Sequence, residues 1–362
     1  MSEPNNSTQL ESLQQRLGNI AKHQLISYCM ALGDQLGLFD ALAAIGSEEH
    51  PARPKEVADK ADCKERYVKE WLGMMACADV VEVTEDEKFF IKPENKEVVI
   101  ASAAQMSMIM SVTEPYKKLV DVYKKNGPLG LPYSDFTTFY NKLSEVHEPF
   151  YKIHLIKDVI PLIAVQERLQ AGGLRVLDVG CGNGSQMSLM AEKYPKCQFT
   201  GIDITEAAIQ EAKLRRNEST GAAFDNLEFQ VMDASQMDSS WTESFDLVLI
   251  FDACHDQMRP DLCLREIHRV LKSNGRFAML EIKGTSSIYK DKQMFGQAAI
   301  TPYSFSVLHC LPIASNSEDA LGLGTAWGQV RAESMLREAG FSKVDIVETP
   351  FFPLNVLYIS YK

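Results

Sequence analysis

Four short stretches carry the residues that could do chemistry. Asp178-Val179-Gly180-Cys181-Gly182-Asn183-Gly184 sets an acid before three glycines at alternate positions. Glycines spaced this way suit a turn where backbone comes close to another group. Asp203 follows 19 residues beyond Gly184, in Gly201-Ile202-Asp203-Ile204. An acid at that distance, at the end of the next strand, can accept both hydroxyls of a ribose, or else cap a helix. Asp233, in Val231-Met232-Asp233-Ala234, ends a third strand, where it could accept from an adenine amino group or cap the next turn. Cys254-His255-Asp256 follows a fourth strand, Phe245–Phe251. Histidine is the natural proton acceptor near neutral pH, so His255 is a candidate general base. Phe251 stands at the mouth of the same crevice, either along a ligand or as plain core.

The elements that must position these residues alternate. Strands are predicted near 175–179, 198–202, 227–232, 245–251 and 276–282, with helical patterns between them. Val176, Leu177 and Val179 read as a buried parallel strand, and Ser185 opens a helix. This alternation predicts an α/β domain with a Rossmann-like parallel sheet. Leu271-Lys272-Ser273-Asn274-Gly275 reads as a turn before the fifth strand. A helix over 330–339 and strands over 343–348 and 355–360 form an antiparallel end. The dinucleotide fingerprint wants glycine or alanine where Ser185 stands, and a late antiparallel pair is foreign to a nicotinamide domain.

Before this domain the chain has a different organisation. Residues 1–9 are polar and read as a disordered tail. Residues 10–45 have helical apolar spacing, with Leu25, Ile26, Met30, Leu32, Leu36, Leu38, Leu42 and Ile45 forming a broad apolar surface. A helix starting at Pro54, a second over 64–77, and strands at 80–83 and 89–91 predict a winged helix. Domain boundaries are therefore expected at 10–100 for a winged-helix and dimerisation domain, 101–170 for a helical linker and lid, and 171–362 for the α/β domain. The 101–170 helices and a long insertion over 285–325, rich in aromatics and Met, are expected to roof a ligand pocket.

Composition narrows the function classes. Net charge is −12, hydrophobic content 45% and charged content 24%, which describes a globular protein with no general affinity for nucleic acid or anionic membrane. Between residues 25 and 100 there are nine Lys or Arg against sixteen Asp or Glu, so a DNA-reading winged helix is disfavoured. No apolar run reaches the ~18–20 residues of a membrane span, and Met1–Gln9 has no apolar signal core. Eight scattered cysteines without a C-x-x-C pair suggest a cytoplasmic protein, and the sequence shows no metal constellation.

Taken together, Asp178–Gly184, Asp203, Asp233, the 271–275 turn and the C-terminal pair resemble the class I S-adenosylmethionine-dependent methyltransferases. The preceding winged helix resembles that of two-domain small-molecule methyltransferases, including plant-type O-methyltransferases. The resemblance implies S-adenosylmethionine as cofactor. Gly180, Gly182 and Gly184 would approach its amino-acid part, and Asp178 would orient the loop or meet its ammonium. Asp203, with Ile204, would hold the ribose, and Asp233, with Ala234, the adenine. Phe251 would lie nearby. In the plant-type enzymes a Cys-His-Asp loop carries the catalytic base, which implies His255 in that role here, with Asp256 either fixing the ring or capping the loop. Those enzymes orient the histidine with two later acids, one near the last helix, where Glu333 is the nearest candidate. The implied activity is methyl transfer to a small-molecule acceptor, with O-methylation foremost, in a homodimer. The alternative is a cofactor-binding sensor that transfers nothing.

Overall fold

The computed structural model describes residues 12–362, so the tail expected over 1–9 lies outside the described residues. The chain divides into two compact units, one ending at Thr113 and the other starting at Glu114.

In the first unit α1 (Leu13–Gln35) starts at a capping box, in which Ser12 Oγ accepts from the Gln15 N–H and Gln15 Oε1 from the Ser12 N–H. The helical spacing over 10–45 is divided between α1 and α2 (Leu38–Ile45), because Gly37 turns the chain with a left-handed φ of 65°. α3 (Pro54–Lys60) begins at its proline, and α4 (Glu65–Cys77) follows. β1 (Glu82–Val83) pairs antiparallel with β2 (Phe89–Phe90) as the wing, and α5 (Lys96–Ser111) closes the unit. Trp71 anchors the packing: its ring meets Phe39 edge-on at 4.8 Å and its Nε1–H donates to the Cys29 carbonyl. A Cβ on Gly33 would come within 2.3 Å of Trp71, so only glycine lets α1 pass so close to α4. Arg66 and Lys69 of α4 pair with Glu70 and Glu87, which uses the charges a phosphate backbone would need.

The second unit opens with α6 (Tyr116–Val122), α7 (Thr137–His154), the short α8 (Ile160–Leu162) and α9 (Gln166–Ala171). Then β3 (Arg175–Val179), α10 (Ser185–Lys193), β4 (Gln198–Asp203), α11 (Glu206–Lys213), β5 (Leu227–Val231), β6 (Phe245–Phe251), α12 (Pro260–Val270) and β7 (Leu271–Ile282) alternate as predicted. The insertion holds α13 (Ile288–Phe295), α14 (Ile300–Phe305) and α15 (Leu311–Ala314). α16 (Gly328–Glu338), β8 (Lys343–Glu348) and β9 (Asn355–Tyr361) end the chain. The seven-stranded sheet has the order β5-β4-β3-β6-β7-β9-β8. Its first five strands are parallel, and β9 lies antiparallel between β7 and β8. Strand order reverses between β3 and β6, and such a switch point opens a crevice at the carboxyl ends.

One expected turn is absorbed. Leu271–Gly275 is not a free turn but the start of β7, with Leu271 opposite Phe245 and a register shift before Arg276 pairs with Leu247. Gly275 folds back on the Leu271 side chain, where a Cβ would meet Cδ1 at 2.6 Å. The sheet carries the larger core on both faces. One face holds Val176, Leu247, Leu249 and Leu280, and the other Leu177, Val179, Val248 and Ile250. No helix among the described residues is long and apolar enough to cross a membrane.

Candidate active site

The glycine loop leaves β3 with φ of 70°, 53° and 75° at Gly180, Gly182 and Gly184, a region that side chains rarely adopt. The reasons differ along the loop. A Cβ on Gly180 would meet Ala253 at 2.7 Å, and one on Gly184 would meet the Phe229 ring at 2.4 Å. These two glycines therefore bring loop and protein together. Of the three, Gly182 alone has open space around it, which leaves room for a ligand there. Asp203 holds the same loop: its Oδ2 accepts from the Gly182 N–H at 3.0 Å and its Oδ1 from the Thr205 N–H at 2.8 Å. Burial pushes the Asp203 pKa up, against these two donors.

Asp178 is buried at the end of β3. Burial and the charge of Asp203 push its pKa up to about 8. A buried carboxylate beside a second acid calls for a cation, and the cofactor's ammonium is one. Together with the open face of Gly182, these residues fit the amino-acid end of S-adenosylmethionine. Asp233 is exposed and accepts from the Ser235 N–H at 2.8 Å, which caps its turn, while Ala234 is buried behind it and Ile204 is 44% exposed. Phe251 is taken into the core, with its ring parallel to Tyr151 at 6.0 Å.

His255 is buried on the loop after β6, and its environment was only partly legible in the sequence. Glu281, fully buried on β7, accepts from His255 Nδ1 at 2.6 Å through Oε2. Its Oε1 accepts from the backbone N–H of both Cys254 and His255 at 3.1 Å. One carboxylate thus fixes the loop and the ring. Burial pulls the His255 pKa down, but the charges of Glu281 and Asp256 outweigh it and hold it well above the ordinary value. Nε2 faces the other way, 3.4 Å from Asp256 Oδ1.

Glu333 does not take the orienting role expected of an acid in the last helix. It is half-buried and pairs with Arg337 one turn along α16. The signal for Glu281 was present: a lone acid in the apolar run Phe277-Ala278-Met279-Leu280-Glu281-Ile282 is the anomaly that marks a site.

The insertion packs on the segment after α6. The Leu131 N–H donates to the Pro312 carbonyl at 3.0 Å, and a Cβ on Gly130 would meet that oxygen at 2.1 Å. Ser306–Cys310 is a π-helical turn ahead of Pro312, as Leu155–Val159 is ahead of Pro161. Proline cannot donate to the turn before it and its ring crowds that carbonyl, so the helix widens. The widened turn buries both His309 and Cys310. His309 Nε2 pairs with Tyr140 Oη at 2.7 Å, its Nδ1 with Cys310 Sγ at 3.3 Å, and Phe136 and Phe139 pack on its ring. Tyr133 Oη donates to the Asp256 carbonyl. The structure thereby gathers His255, Asp256 and Cys310, a potential ligand set that no spacing in the sequence reveals.

Known proteins share this fold. A methyltransferase domain family matches residues 170–340, and an Rv2258c-like winged HTH domain family matches residues 24–102. The chain is 31% identical over 211 residues to a ubiquinone biosynthesis O-methyltransferase of Pseudomonas aeruginosa, covering 56% of this chain and 80% of that one. It is 30% identical over 155 residues to a fatty-acid O-methyltransferase of Mycolicibacterium smegmatis, covering 43% and 48%. A putative O-methyltransferase from Nostoc punctiforme superimposes with a TM-score of 0.70 at 16% identity, covering 98% of this chain and 100% of that one. Human N-acetylserotonin methyltransferase, solved with S-adenosylmethionine, gives 0.68 at 15%, covering 98% and 99%. With the sheet order, the glycine loop and these matches in place, the chain belongs to the class I S-adenosylmethionine-dependent methyltransferases and carries an N-terminal winged-helix domain.

Proposed function

We propose that this methyltransferase methylates an oxygen on a small-molecule acceptor, with His255 as the proton acceptor. The observation that carries the reading is the buried pair of His255 and Glu281. In the neutral ring Glu281 fixes Nδ1–H, so Nε2 is the nitrogen left for the acceptor's O–H; the raised pKa favours the imidazolium formed by proton transfer, so turnover rises with pH as the ring loses its resting proton. The cofactor's sulfonium supplies an intrinsically strong methyl donor, so the chain's task is placement, exclusion of water and proton removal. Asp203, with Ile204, would hold the ribose, Asp178 the ammonium, and Asp233, with Ala234, would border the adenine. Phe251 supports that wall from the core. The aromatic ring cluster of Phe136, Phe139, Tyr140 and Phe305 suits a flat or lipophilic acceptor. The names of the two similar O-methyltransferases point the same way.

The test is transfer of a labelled methyl group to a panel of phenols and hydroxylated lipophilic compounds. Transfer by the wild type and a loss of ~10²-fold or more in His255→Ala, with cofactor affinity kept, supports the reading. Equal turnover in the variant removes His255 from the mechanism. Cofactor binding without transfer to any acceptor favours the sensor reading instead.

Two further attributes belong to the same proposal. α1 exposes Leu13, Leu17, Ile20, Leu25 and Leu32, and its C-cap Leu36, an apolar surface suited to a second copy of the chain, and sedimentation at micromolar concentration tests for a homodimer. All eight cysteines are free, five of them buried, which suits a reducing cytoplasm, and fractionation of cells tests that placement.

A further inference from the structure

Cys310, gathered beside His255 and Asp256, is not accounted for by methyl transfer. One ligand atom from each of His255, Asp256 and Cys310 lies within 4.8 Å of the others. His255 and Cys310 are buried, and the Asp256 side chain is 13% exposed. Asp256 Oδ1 is buried without a hydrogen-bond partner, an acceptor left unsatisfied beside an imidazole. Its 3.4 Å separation from His255 Nε2 matches the edge, about 3.3 Å, of a tetrahedron with metal bonds of about 2.0–2.1 Å to nitrogen and oxygen.

The surroundings also suit a metal. Glu281 behind Nδ1 is the carboxylate that orients a ligating histidine and strengthens its other nitrogen as a donor. His309 Nδ1 lies 3.3 Å from Cys310 Sγ, and Tyr140 Oη fixes the far side of that ring, so an N–H can be aimed at the sulfur. Thiolate, imidazole and carboxylate together select zinc over magnesium or calcium, and three protein ligands leave the fourth position open.

We propose that His255, Asp256 and Cys310 form a zinc-binding site. Zinc bound there takes the Nε2 lone pair, so a filled site and proton acceptance by His255 exclude each other, and zinc holds methyl transfer off until it is removed. The inhibitory consequence rests on His255 being the base, whereas the binding does not.

The binding is read without any acceptor. The full-length protein, stripped with a chelator, is titrated with Co²⁺ and followed by its absorbance. The expected result is one equivalent with a thiolate-to-cobalt charge-transfer band and visible tetrahedral bands, displaced by Zn²⁺. Cys77→Ser, at an exposed cysteine, keeps the band, and Cys310→Ser abolishes it. Asp256→Asn, which keeps the size of the side chain but removes its charge, keeps the band and weakens binding at least 10-fold. Absence of one-to-one binding, a band that survives Cys310→Ser, or unchanged affinity in Asp256→Asn overturns the site. Methyl transfer then falls with one equivalent of Zn²⁺ and recovers with chelator. Full transfer by zinc-loaded protein would leave the site standing and count against His255 as base.

Discussion

Glu281 Oε2 lies 2.6 Å from His255 Nδ1, and the same carboxylate's other oxygen accepts two backbone N–H groups of the loop that carries the histidine. One buried acid therefore sets both where the ring is and which of its nitrogens is free. Glu281→Gln keeps the size but cannot hold a positive ring. Turnover should fall about 10–100-fold with the cofactor dissociation constant unchanged, measured by steady-state kinetics beside calorimetric titration. Glu281→Ala should also destabilise the fold by about 3–5 kcal/mol in denaturant unfolding, because it leaves the loop N–H groups and His255 buried without their partner.

Asp203 joins the glycine loop to the second strand through the Gly182 N–H. A hydrogen bond to a charged group contributes about 1.5–3 kcal/mol. Asp203→Ala should thus raise the cofactor dissociation constant about 10–100-fold, by losing both the loop anchor and the proposed ribose acceptor. An unchanged constant would place the ribose elsewhere.

The three loop glycines should respond unequally. Gly184→Ala combines a left-handed φ of 75° with a Cβ 2.4 Å from Phe229, and should cost about 2–4 kcal/mol of stability. Gly182→Ala meets nothing, so it should cost only the backbone strain, about 1–2 kcal/mol, while weakening cofactor binding more than its stability loss suggests. Equal effects at both positions in thermal unfolding and titration would contradict this division of roles.

Asp178 gives a pH dependence with a definite sign. Its pKa is raised from 3.8 to about 8 by burial and by Asp203, so between these values the folded protein holds a proton that the unfolded chain has lost. Its contribution to the stability of the cofactor-free protein falls as pH rises from about 4 and levels off above about 8. A cationic ammonium favours the carboxylate, so cofactor binding at pH 7 should release a proton and tighten as pH approaches 8. Calorimetry at pH 7 in two buffers of different ionisation enthalpy measures the release. Asp178→Asn should abolish it, weaken binding about 10-fold or more, and stabilise the cofactor-free protein at pH 8.

Much of this protein follows from local sequence. Strand and helix periods, the glycine turn after Asp178 and the proline that starts α3 are each set by a few adjacent residues, so the alternating α/β architecture and the winged helix are readable from them. Bounds shift where tertiary contact overrides local chemistry. Leu271–Gly275 has turn residues, yet Leu271 pairs with Phe245 and draws the segment into β7. Partners of the loop after β6 are another matter. Cys254-His255-Asp256 marks a loop of interest, but nothing adjacent tells whether Glu281 or Glu333 will face the ring. That is decided by β6 and β7 lying side by side, with Phe251 opposite Leu280, which brings the next residue of β7 to the start of the loop. Cys310 reaches the same point only because a π-helical turn before Pro312 buries it there. Local spacing encodes elements; which side chains meet depends on strand order and helix distortion, and these are properties of the whole packed chain.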